Sequence, residues 1–197
     1  MAATVGLITD IPTDRLTRDI AAIAEVPSFY GMISNIGILL WCASASICLF
    51  VFAVLQKLKI KTIAFKNNFL SFLLFSGLIT LMLMFDDLFL LHEDIFPSLN
   101  ISEMVVYSSY VTVVLLYLLK FRKIIFSTTW GILCLGFLFF AASLTIDFFS
   151  ISGSRITLLE DGFKLLGIAS WFSYFVSLCF ETVKNTIDSN LNHYRRR

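Results

Sequence analysis

Five runs of apolar residues divide this chain, and short polar stretches separate them. Each run approaches the roughly twenty residues that an α-helix needs to cross the hydrocarbon of a bilayer. The pattern predicts spans near residues 36–55, 68–91, 101–119, 125–146 and 157–180. The expected fold class is an all-α membrane protein: a bundle of five transmembrane helices behind a short N-terminal amphipathic helix. That helix is expected to open at Pro12 and Thr13 and to end at Pro27. Leu16, Ile20 and Ile23 would form its apolar stripe, with Asp14, Arg15, Arg18, Asp19 and Glu25 on its other faces. The chain thus reads as a surface arm (residues 1–27), a five-span bundle (28–183) and a polar, basic C-terminal tail (184–197). The arm would anchor to the membrane surface or dock a partner.

Within the spans, small residues recur at helical spacing and mark expected packing faces, because close approach drives helix association in lipid. One face carries Gly37, Trp41, Ser44 and Cys48. The fourth span has Gly131, Gly136, Ala141, Ala142 and Ser143, and the fifth has Ala169, Ser173 and Ser177. Ser102 is the expected N-cap of the third helix, with Glu103 in its first turn. Hydrophobic residues make up 58% of the chain and charged residues 15%, against about 45–50% and 25% in soluble domains. This excludes an ordinary soluble enzyme. The four cysteines all lie in apolar runs without a Cys-x-x-Cys pair and are expected to be small, buried, reduced thiols. The N-terminus lacks a basic stretch, and Val5–Ile8 is short for a secretory signal. No phosphate loop, nucleophile elbow or His-Glu-x-x-His pair is present, and nothing favours nucleic acid.

Charge fixes an expected orientation. Five spans bring the first loop, the third loop and the tail to one side, with 11 of the 15 lysines and arginines. Only Glu181 and Asp188 of the 14 acids fall there. Positive residues stay inside, so the N-terminus is expected outside and the C-terminus in the cytoplasm, in a bacterial inner or thylakoid membrane.

The unusual chemistry lies at the opposite level. Phe69 to Phe85 is free of charge, and then come Asp86-Asp87, four apolar residues, His92, Glu93 and Asp94. Charged groups near the bilayer interior are costly and mark functional sites. On a continuous helix Asp86 and Glu93 would share one face, and Asp87 and Asp94 the next. Counting from the basic loops brings Asp147 of the fourth span, and Glu160, Asp161 and Lys164 of the fifth, to the same level. Glu160 and Lys164 have the favourable i, i+4 order for an ion pair. Asp86, His92, Glu93, Asp147 and Glu160 are therefore the candidate metal ligands or proton-handling groups, supported by Asp87, Asp161 and Lys164. Carboxylates with an imidazole suit a divalent metal such as Zn, Mn, Fe or Ca. Without one, crowded carboxylates would share protons. Acids at span ends also commonly do no more than face water.

The pattern Asp86-Asp87-x4-His92-Glu93, then Asp147, then Glu160-Asp161-x2-Lys164-x2-Gly167, resembles small, functionally uncharacterised bacterial membrane proteins. Leu16-Thr17-Arg18-Asp19 and Leu39-Leu40-Trp41-Cys42-Ala43 resemble cyanobacterial members of such a group. The resemblance implies no activity. In plan, the site is also similar to membrane metal hydrolases of the ceramidase type, which set a Ser-xxx-His, an Asp and a His-xxx-His around zinc on seven spans. Here five spans are expected, and His193, the other histidine, falls on the cytoplasmic side. A three-histidine zinc site within one chain is excluded. The expected function is that of an integral membrane protein with an acidic, divalent-metal-binding or proton-handling outer site, acting by metal-dependent hydrolysis on a lipid-like substrate. The alternatives are an accessory subunit of a larger, for instance photosynthetic, membrane complex, and a small proton or ion transporter. The expected partners are the lipid bilayer, further copies of the chain or that larger complex.

Overall fold

A computed structural model describes residues 12–57, 66–149 and 154–195. Among these residues there are helices and turns and no strand. The chain divides into two units, Met1–Met32 and Ile33–Arg197.

In the first unit the expected amphipathic helix is split. Helix α1 spans Thr13–Thr17 and α2 spans Ile20–Ile23. Asp19 between them is extended (ψ 140°), as an N-cap residue is. The Thr17 hydroxyl bonds back to the Thr13 carbonyl, a local bond that competes with helix continuation. The break sets Leu16 on one helix and Ile20 and Ile23 on the next, and all three are exposed. The single continuous helix predicted from their spacing is corrected to two short ones.

Five long helices follow: α3 (Met32–Lys57), α4 (Lys66–Phe89), α6 (Glu103–Phe126), α7 (Trp130–Phe148) and α8 (Ser154–Arg195). Between α4 and α6 lie a π-helical turn, Leu91–Ile95, and the short α5, Phe96–Ser98. All five long helices are long and apolar enough to cross a membrane. Their large apolar residues also face outward, Phe50, Leu116, Leu138 and Phe180 among them. Such a surface would be an aggregation liability in water.

Helix boundaries differ from the expected spans where the residues are good helix formers. The stretch Lys120-Phe121-Arg122-Lys123, expected as a loop, continues α6. Lys and Arg favour helices and suit the negative C-terminal end of the dipole. The turn moves to Ser127–Thr129. The polar, basic C-terminal tail continues α8 as helix to Arg195, since no Gly or Pro follows Gly167 to stop it. At 1.5 Å per residue α8 is about 63 Å long, twice the hydrocarbon thickness. The expected loop lysines 59 and 61 and the last two arginines lie outside the described residues.

The core is aromatic. Phe72 stacks on Tyr117 (centroids 5.8 Å apart) and meets Phe121 edge-on, drawing α4 onto α6. Trp171 of α8 contacts Trp41 of α3 and Phe137 of α7 edge-on. The α3 face of Gly37, Trp41, Ser44 and Cys48 is buried as expected. Two glycines set close approaches. A Cβ on Gly136 would stand 3.3 Å from the Gly167 carbonyl oxygen, so α7 and α8 meet backbone to backbone. A Cβ on Gly77 would fall 2.6 Å from Leu49. The expected Ala169–Ser173–Ser177 packing row is not the buried face of α8: Ser173 is exposed, and Ile168, Trp171, Tyr174 and Phe175 fill the core. Large rings bury more apolar area than a serine row, and they win the interior. Of the cysteines, Cys48 and Cys179 are buried, whereas Cys42 and Cys134 are exposed.

Candidate functional site

The site forms where α4 stops being a helix. Leu90 adopts a left-handed conformation (φ 50°, ψ 44°), which costs a leucine energy that glycine would avoid. The π turn follows at once. A residue six positions on along a regular helix points away from the first. Here the reversal at Leu90 swings His92 back onto Asp86. The imidazole Nδ1–H donates to Asp86 Oδ2 at 2.5 Å, and both residues are 5% exposed. The shared face predicted for Asp86 and Glu93 therefore does not exist as such, because no helix connects them. Glu93 comes to the site through the turn, with Oε1 3.3 Å from His92 Nε2.

Each buried carboxylate is bound at both oxygens. Asp86 Oδ1 accepts from the Tyr110 hydroxyl of α6 at 2.8 Å. Asp87 Oδ2 accepts from the Trp41 indole N–H of α3 at 2.9 Å, and its Oδ1 lies 2.7 Å from Lys164 Nζ of α8. Lys164 thus forms its ion pair across the bundle with Asp87, where an intrahelical partner, Glu160, was expected. Asp87, expected as a supporting group, is the node that joins three spans. The Tyr107 ring packs against the His92 ring, with centroids 4.9 Å apart. The Asp86 hydrogen bond holds the His92 pKa above its ordinary value near 6.5. Burial opposes this, the charges of Asp86 and Glu93 add to it, and Lys164 subtracts.

All eight residues singled out by sequence line one cavity of about 860 Å³: Asp86, Asp87, His92, Glu93, Asp147, Glu160, Asp161 and Lys164. Three helix ends, of α4, α7 and α8, and the π turn bring them there. The cavity continues between the helices along Leu83, Val111, Val114, Leu115, Leu118, Phe137, Phe140 and Leu144, with Trp41 and Trp171 in its wall. Five polar lining residues were not among the candidate site residues: Glu103, Tyr107, Tyr110, Ser143 and Trp41. Glu103, Tyr107 and Tyr110 sit at i, i+4 and i+7 on one helical face, a signal the sequence did carry. Trp41 looked like simple packing.

Convergence on a cavity is not convergence on a metal. Among the described residues no three His, Cys, Asp or Glu side chains stand close enough to hold one ion. Asp86 and Asp87 direct their oxygens at protein donors, and Asp147 approaches the cavity from α7 while Glu160 and Asp161 approach it from α8.

Below the site the polar groups form a cross-brace. The Trp171 indole donates to the Thr80 hydroxyl at 3.0 Å, and Thr80 donates to the Ser76 carbonyl at 2.7 Å. The Ser76 and Tyr117 hydroxyls lie 2.6 Å apart. An indole N–H only donates, so this ladder ties α4, α6 and α8 together and cannot relay a proton through Trp171.

The chain matches one protein-family model over residues 1–178. It belongs to the family of the domain of unknown function DUF8692. The match covers all five long helices as far as Leu178 in α8, and with them every residue of the cavity, so the site belongs to the family's domain. No curated protein and no solved structure matches the chain.

Proposed function

We propose that this chain is an integral membrane protein that holds a lipid-like amphiphile in its interhelical cavity, with the Asp86–His92 pair as the acid–base group beside the headgroup. One observation carries the reading: a cavity of about 860 Å³ that joins apolar walls along α6 and α7 to the polar residues gathered at one end of the helices. Small-molecule sites have this form, mostly apolar with a few convergent polar groups, at about 300–1,000 Å³. Asp86 orients His92 through Nδ1 and leaves Nε2 beside the cavity, the arrangement of an oriented general base. In its neutral form His92 Nε2 would take a proton from a water that attacks an ester or amide carbonyl, and would return it to the leaving group. Hydrolysis of a lipid-like substrate is the reaction this pairing would serve. The basic residues Lys57, Lys120, Arg122, Lys123 and Lys184 lie toward the other end of these helices, which supports an outward-facing cavity by the positive-inside rule.

Native mass spectrometry of the purified full chain tests the reading. A lipid-like adduct should survive purification. It should be lost in Val114→Trp, which fills the cavity, and retained in Leu119→Trp, on an exposed position outside it. Equal adducts in all three proteins, or none in the wild type, would overturn it.

A further inference from the structure

The charge of the cavity mouth specifies the headgroup. Lys164 is paired with Asp87, and His92 with Asp86. Those two pairs engage both cations on the cavity wall, and Glu93 also stands 3.3 Å from His92 Nε2. Glu93, Glu103, Asp147, Glu160 and Asp161 line the same cavity in excess. They come from four places: the π turn, the start of α6, the end of α7 and the start of α8. Exposure places Glu93, Glu103, Asp147 and Asp161 toward the opening, with Glu160 half-buried. The apolar walls run along α6 and α7, where Val114, Leu118, Phe137 and Phe140 are half-buried and Val111, Leu115 and Leu144 are exposed. Two tyrosines, Tyr107 and Tyr110, stand among the acids. Carboxylates interleaved with aromatic faces are the chemistry that recognises an ammonium group. A cavity lined by one sign of charge with low-dielectric walls also concentrates the opposite charge.

We propose that the occupant of this cavity is a single-chain amphiphile with a cationic amine head: the chain lies along Leu115, Leu118, Phe137 and Phe140, and the ammonium among the five rim acids. The inference rests on the amphiphile-binding reading above and names its ligand class. The volume fits one chain with a small head. An anionic head would meet uncompensated like charge. A neutral head would leave the repulsion among the acids unrelieved.

The protein supplies its own reporters. It has three tryptophans. Trp41 and Trp171 line the cavity, and Trp130 is exposed elsewhere. In a Trp130→Phe background in nanodiscs of neutral lipid, twelve-carbon chains brominated at the tail should quench the remaining fluorescence saturably. Heads of primary ammonium, alcohol and sulfate are compared, each competed by its unbrominated analogue. The ammonium compound should half-saturate at a concentration roughly tenfold below the alcohol, the advantage of a desolvated cation–aromatic and carboxylate site. The double substitution Asp147→Asn, Asp161→Asn, at two exposed rim positions, should shrink the advantage of the ammonium over the alcohol. Glu160→Gln checks the same point from another position.

Equal half-saturation by all three heads, or preference for the sulfate, overturns the cationic headgroup and leaves the amphiphile cavity standing. An advantage that survives both the double substitution and Glu160→Gln overturns the assignment to the rim acids. Absence of saturable, competed quenching by any head overturns the amphiphile reading with it. Equal competition by ammonium ion without a chain would show a cation site only and would overturn the single-chain ligand.

Discussion

The two ends of this bundle are held by different forces. At one end, around Phe72, Tyr117, Phe121 and Phe175, rings pack on rings and glycines set the distances. At the other, two adjacent aspartates collect partners from α3, α6, α8 and the π turn by directional bonds. Packing tolerates volume-conserving change and punishes bulk. A network of buried polar groups behaves in the opposite way, surviving changes of bulk at its edge and failing when one partner is removed. The difference separates what shapes the cavity from what gives it chemistry.

That contrast breaks most sharply at Asp87. Asp87→Ala strands the Trp41 indole and Lys164 together. Removing one partner of a buried pair costs about 3–5 kcal/mol. Because the Lys164 side chain is 40% exposed, about 2–3 kcal/mol is expected here. A thermal melt in detergent should show the largest loss of the site substitutions, and Asp87→Asn should recover the Trp41 bond alone and fall between. At the packed end, Gly77→Val should cost about 1–3 kcal/mol by overpacking against Leu49. It should leave the pH dependence of stability untouched.

His92 sharpens the comparison by its pH dependence. Its pKa is raised in the folded state by the Asp86 bond, so the stabilisation it brings is complete below the ordinary value near 6.5. It is lost as pH rises through the higher folded value. The melting temperature of the wild type should therefore decline as pH rises above about 6.5, and His92→Gln should flatten that part of the profile at a cost of about 1–2 kcal/mol at pH 6. A Phe72→Leu core variant should be lower throughout and keep the wild-type slope. Trp41→Phe, which keeps the ring and drops the bond to Asp87, should cost about 1 kcal/mol or less.

The smallest expected effect belongs to metals. With no three ligands together among the described residues, Zn, Mn or Ca at micromolar concentration should leave the melt unmoved. A rise abolished by both Asp147→Asn and Glu160→Gln would restore a metal to the rim.

Much of this was legible in sequence because it follows from hydrophobic length and level. The five spans come from apolar runs, and the eight polar positions meet because counting residues from the basic loops places them at one depth. The detailed geometry was not legible. A helix extrapolated through Leu90 puts His92 on the wrong side of Asp86. Nothing in a leucine announces a left-handed backbone, which is adopted here because two buried polar partners meet across it. Trp41 and Lys164 were each legible as local features, a packing face and an i, i+4 pair. Their common partner Asp87 is a property of tertiary packing. The α6 boundary was misjudged because lysines read as a loop in a charge count and as a helix in propensity.

The central claim is that the polar end and the apolar cavity are one site. Imidazole ¹⁵N NMR of His92, in a His193→Gln background that leaves a single histidine, tests it most directly. The account predicts a doubly protonated ring that persists above pH 6.5. It also predicts that both nitrogen signals move as a twelve-carbon amine fills the cavity, with the same midpoint as tryptophan quenching. Signals that stay fixed while quenching saturates, or a ring already neutral at pH 6.5, would contradict it.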